Sequence, residues 1–149
     1  MPDPSIERTA AGKPVTNARV KRQAHEFRSA GEEVASIMIH QLRIYEIFEH
    51  NKSAFHARFR DHAMRIMRKY GFDIVAMWET SHLQRTEFVY LLAWPDEAAQ
   101  SAAWAKFRAD EEWKEIKRVT NEKHGDLVGS IEDRVLLLTG YSPSLPRSS

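Results

Sequence analysis

The chain has no cysteine among its 149 residues. That excludes disulfides, thiolate nucleophiles and cysteine-ligated zinc or iron–sulfur centres. It also lacks a long apolar run. The longest, Phe88–Trp94, is seven residues, where a membrane-spanning helix needs roughly 20. No sign of charge dominates: 22 basic side chains stand against 21 acidic ones, so no global field draws the protein to nucleic acid or anionic lipid. The six glycines form no Walker-type or GxGxxG loop, and no serine sits in a nucleophile elbow. His25–Phe27 (HEF) is not HExxH, and no other zinc spacing occurs. The composition, 42% hydrophobic and 29% charged, is that of one soluble globular domain. The expectation is a cytoplasmic protein with no nucleic-acid or membrane partner, no metal and no cofactor.

Residues 1–36 contain one aromatic, Phe27, whereas all four tryptophans and four tyrosines come later. Prolines, glycines, six basic and five acidic side chains leave little apolar surface to offset the entropy of ordering. The segment reads as a disordered or loosely ordered N-terminal arm, or as an over-long gene model for which Met38 is the natural start. It has no secretory apolar core, and Asp3, Glu7, Glu26, Glu32 and Glu33 argue against a mitochondrial presequence. Residues 37–143 read as one domain, and 144–149 as a flexible tail.

The domain has a βαββαβ pattern. Ile39–Phe48 alternates and is rich in β-branched and aromatic residues, as a strand does. In Lys52–Tyr70, Phe55, Phe59, Ala63, Ile66 and Tyr70 recur at spacings of three and four, one face of a helix. Asn51 is placed to cap it, and Gly71 to end it. Phe72–Thr80 and Glu87–Trp94 read as strands joined by the polar loop Ser81–Thr86. Asp96 opens a helix, and Asp110 looks like a second N-cap, so a bent or broken helix is expected from Asp96 to Lys123. Gly125 and Gly129 flank a turn into a last strand, Ile131–Thr139. This order predicts an α+β fold: a ferredoxin-like, four-stranded antiparallel sheet with its helices on one face.

Both sheet faces are apolar or aromatic. Leu42 and Ile44 oppose Gln41, Arg43, Tyr45 and Ile47; Val89, Leu91 and Ala93 oppose Phe88, Tyr90, Leu92 and Trp94; Val135 and Leu137 oppose Leu136 and Leu138. A monomeric antiparallel sheet wets its free face. An apolar free face calls for a second layer, and a second copy of the same sheet supplies one.

Six segments, in order, resemble the NIPSNAP family: QLRIYEI at Gln41–Ile47, HAMRIMRKYGF at His62–Phe72, VAMWET at Val75–Thr80, FVYLLAWPDEAA at Phe88–Ala99, AWAKFRADEEW at Ala103–Trp113 and IEDRVLLLTGYSP at Ile131–Pro143. The resemblance implies a homodimeric α/β barrel of ferredoxin-like halves and no settled reaction. The Ser81–Thr86 loop lacks the glycines common in the family and is given no role.

By alternation, the positions facing the barrel interior are expected to be Arg43, Tyr45, Trp78, Tyr90, Trp94 and Arg134. Guanidiniums among aromatic rings suit a flat, anionic organic ligand, because arginine grips a carboxylate with two donors. The structural alternative pairs Arg43 with Glu132 or Glu79 and buries the rings in the dimer core. His62 lies beside the apolar stripe, as an acid/base group, a haem ligand or a satisfied core histidine. His56 and His62 face different ways and make no metal pair. Lys114, Lys117, Arg118 and Lys123 alternate with acids and read as a solvated face. The expected function is a homodimer binding a small organic ligand or partner in or around the cavity between the sheets. The alternative is a cofactor-independent monooxygenase or isomerase acting on a small aromatic or anionic substrate.

Overall fold

The computed structural model describes residues 38–145. The expected arm, and all of the expected tail beyond residue 145, lie outside them. Strand β1 (Ile39–Ile47) leads through a 3-10 turn (Glu49–Asn51) into helix α1. That helix is α over Lys52–Arg58, passes through a π-helical turn at Phe59–Ala63, and is α again over Met64–Lys69. Strands β2 (Asp73–His82) and β3 (Arg85–Trp94), helices α2 (Glu97–Ala109) and α3 (Glu111–His124), and strand β4 (Val128–Leu137) follow. The strands form one antiparallel sheet in the order β2-β3-β1-β4. Two split βαβ crossovers give the ferredoxin-like α+β fold read from the pattern.

Local chemistry explains most of the boundaries. The Asp96 carboxylate accepts from the Ala99 N–H at 2.7 Å and starts α2. Asp110 accepts from the Trp113 N–H at 2.8 Å, so the expected broken helix is two helices hinged at one cap. Asn51 does not cap α1. It is buried, and its amide donates to the carbonyls of His124 at 3.0 Å and Asp126 at 2.9 Å, tying the start of α1 to the end of α3. The expected six-residue loop at 81–86 contracts to a two-residue turn. Leu83 and Gln84 take φ of 51° and 63°, the twist that suits a tight hairpin. Neither is a glycine, so the turn carries no sequence signal. Gly129 lies inside β4, not in a turn before it. Register there slips from Tyr45↔Ile131 to Ile47↔Val128, a β-bulge. A Cβ at 129 would run into the Glu46 side chain, which instead accepts from the Ser130 N–H at 3.3 Å.

The strands have the two faces that alternation predicts, but the helices cover the other one. Ile39, Gln41, Arg43, Tyr45 and Ile47 pair with Trp94, Leu92, Tyr90, Phe88 and Thr86 in turn, and this is the helix side. Phe88 meets Phe55 and Phe59 with ring centroids at 5.0 and 4.7 Å, and Trp94 meets Phe72 at 4.9 Å. Leu42 and Ile44, paired with Leu91 and Val89, lie on the helix-free face together with Trp78 and Leu136, which are 50% and 40% exposed. Alternation says which residues share a face. The hand of the crossovers decides which face receives the helices. Among the described residues no helix is long and apolar enough to cross a membrane.

Candidate functional site

A cavity of about 80 Å³ lies between the sheet and the helices. It is well below the roughly 300–1,000 Å³ of drug-sized sites and far too small for a haem. Its apolar wall comes from Trp104, Phe107 and Trp113 on α2 and α3, with Leu127 and Ile131 opposite. Asn51 holds that opposite wall in place through the carbonyls it binds at the end of α3.

The polar end is built on β1. The Arg43 guanidinium is 2% exposed and pairs with the Asp133 carboxylate at 3.2 Å. It lies over the Trp104 ring, 4.3 Å from the centroid. Its Nη2 donates to the Tyr45 hydroxyl at 2.9 Å and its Nε to the Tyr90 hydroxyl at 3.3 Å. The two phenol oxygens are 2.6 Å apart. Asp133 also accepts from the Gln41 amide at 2.9 and 3.0 Å. The Gln41 carbonyl accepts from both the Trp94 and Trp104 indoles at 2.9 Å. Each polar side chain of this row therefore has at least one partner within it, as burial demands.

Arg58 on α1 is different. Its Nη1 donates to the Asn121 side-chain carbonyl at 3.2 Å, and its guanidinium lies 5.5 Å from the Trp113 ring centroid. Among the described residues it has no carboxylate partner. Burial pulls its pKa down to about 10, and Tyr45 offsets part of that. Lys117 reaches the same cavity, whose wall includes one carboxylate-bearing residue, Asp126. Basic side chains therefore outnumber acidic ones along the lining.

Four of the six expected site residues lie on the helix side: Arg43 and Tyr45 line the cavity, Tyr90 lies behind them, and Trp94 is core. The other two, Trp78 and Arg134, are on the opposite face, so the six do not form one site. Arg134 is paired with Glu132 at 2.7 Å, and Arg43 pairs with Asp133 where Glu132 or Glu79 was expected. His62 sits in the π-helical turn, half-buried and away from the cavity, and its Nδ1 has no partner among the described residues. Among those residues no group of three potential ligands could hold a metal ion. Sequence reasoning missed Arg58, Asn121 and Asp133. The available signal for Arg58 was its position three after Phe55 and one before Phe59, at the edge of the apolar stripe. Lys117, expected on the solvated face with Lys114 and Arg118, also lines the cavity, while Lys114 and Arg118 pair with acids on that face.

A ferredoxin-like α+β domain with a small cationic, aromatic-walled cavity on its helix side is the class that fold and site define. The family model described as NIPSNAP matches residues 40–143, and the chain belongs to the NIPSNAP family. It is similar to an uncharacterized NIPSNAP-like domain protein from Burkholderia xenovorans, with 23% identity and a TM-score of 0.63 over 75% of this chain and 94% of that one. A NIPSNAP family protein from Agrobacterium tumefaciens gives 20% and 0.62 over 71% and 97%. A second from that organism, described as of unknown function, gives 18% and 0.62 over 74% and 96%. At these identities the likeness shows the fold alone. No curated protein sequence matches.

Proposed function

We propose that the protein is a homodimer, joined through its helix-free sheet faces, in which each helix-side cavity binds a small, flat organic anion. The observation that carries the binding is Arg58. A half-buried guanidinium that, among the described residues, meets only an amide oxygen and an indole face keeps its charge at a cost unless an anion completes it. The aromatic walls supply the apolar body's surface, and the modest volume limits its size. The cavity between sheet and helices thus replaces the space between two sheets as the binding place. The dimer rests on the apolar free face, where Leu42, Ile44, Val89 and Leu91 continue to the exposed Trp78 and Leu136.

A thermal-shift screen with benzoate, salicylate and phenylacetate tests the binding, on wild type and Arg58→Gln. Ligand at a hundred times its Kd adds about 2.7 kcal/mol, a rise of several degrees. The expected result is a rise in wild type that Arg58→Gln loses. No rise with any acid would remove the reading's support.

A further inference from the structure

The hydroxyl row at the cavity's polar end can be assigned proton by proton. Tyr90 is completely buried, and its oxygen has two polar neighbours, Arg43 Nε at 3.3 Å and Tyr45 Oη at 2.6 Å. A guanidinium accepts nothing. The Tyr90 proton therefore goes to Tyr45, because a buried hydroxyl with an unmet donor is costly. Tyr45 Oη also accepts from Arg43 Nη2 at 2.9 Å. With both acceptor positions filled, its own proton has no acceptor among the described residues, and its side chain lines the cavity. Burial, with charge on Tyr45 second, holds Tyr90 well above the usual phenol range. Tyr90 thus stays a donor to Tyr45.

We propose that Tyr45 presents a spare O–H to the cavity, backed by Arg43 and Tyr90, so that the ligand carries a second, electron-rich oxygen of the enolate or phenolate type besides the anionic group held by Arg58. This rests on the reading of the cavity as an anion site and narrows its ligand to hydroxyaryl or enolised oxo acids. Arg43 does not compete for the carboxylate, since Asp133 already neutralises it. Donor groups aimed where oxygen charge accumulates favour the ionised ligand.

Two probes test this, 4-hydroxy-3-nitrobenzoate, whose phenolate is coloured, and 3-nitrobenzoate, which lacks the phenol. Binding of both to wild type, Tyr45→Phe and Tyr90→Phe would be measured by calorimetry, and ionisation of the bound phenol by visible absorbance against pH. In wild type the bound phenol should ionise about one pH unit lower than free. Tyr45→Phe should shrink that displacement and lower the affinity ratio of the two probes about tenfold. Tyr90→Phe, which keeps the Tyr45 proton but loses one backing donor, should move both in the same direction by less. Should Tyr45→Phe fail to fold, Tyr90→Phe decides. An unchanged ratio and unchanged ionisation in the variants would overturn the role of Tyr45 while leaving the anion site standing. Failure of both probes to bind wild type would overturn both.

Discussion

Gln41 carries four hydrogen bonds on one amide, two to Asp133 and two from the indoles of Trp94 and Trp104. It joins β1 to β4, β3 and α2 at the floor of the core. Gln41→Leu keeps roughly the volume but orphans two indole N–H groups, each worth about 1–3 kcal/mol when buried unpaired. Urea melts should therefore show a loss of about 2 kcal/mol or more, and a midpoint matching wild type would mean that the indoles find other acceptors. Arg43 is fixed by the same row. None of this was legible along the chain: Gln41 and Asp133 are 92 residues apart, and alternation could place Gln41 on a face but not name its partners. Arg43 and Tyr45 were legible as polar groups among aromatic ones, because a guanidinium and a hydroxyl two residues apart on a strand share a face. Arg58 was hidden because helical charges are usually solvated, and only the packing of α3 against α1 takes it partly out of water.

At the scale of elements, Asp110 is a hinge. One carboxylate oxygen caps α3, and the other accepts from the Tyr70 hydroxyl at 2.6 Å, with Lys69 at 3.5 Å. The Tyr70 hydrogen bond, helped by the cap N–H and Lys69, holds this carboxyl below its ordinary value of 3.8. The stabilisation is thus fully present above that value and is lost as pH falls through the lower folded value. Stability measured from pH 6 downward should drop below pH 4, and Asp110→Asn, which keeps a capping oxygen, should flatten part of that drop. An equally steep fall in the variant would assign it to other carboxylates. Asp110→Ala should cost about 1 kcal/mol at neutral pH through the lost cap. The hairpin turn offers the opposite test. Leu83 and Gln84 hold positive φ, which strains L residues by about 1 kcal/mol or more each. Replacing the pair by Asn-Gly should raise the thermal midpoint by several degrees. The caps were readable from Asp before an apolar run; the turn was not, because its conformation is imposed by the strands that meet there.

For the whole molecule, the two sheet faces predict different fates for similar substitutions. Leu92 is fully buried on the helix side, and Leu136 is 40% exposed on the free face. Leu92→Glu puts an unpaired charge into the core, at a cost of several kcal/mol, and should abolish soluble protein. Leu136→Glu, under the proposed assembly, should leave the secondary structure intact by circular dichroism and shift light scattering from dimer to monomer. A dimer of unchanged mass and stability would place the interface elsewhere.

Residue order alone determined the strands, the helices, the split βαβ topology and the two caps, because periodicity, propensity and capping act over a few residues. It also determined that both faces of the sheet are apolar. The tertiary structure decided which face the helices cover, and with that it moved Arg43, Tyr45 and Tyr90 from an expected space between sheets to a cavity beneath the helices. The reason is geometric. Alternation is symmetric between the two faces of a strand, and only the three-dimensional path of the crossovers breaks that symmetry.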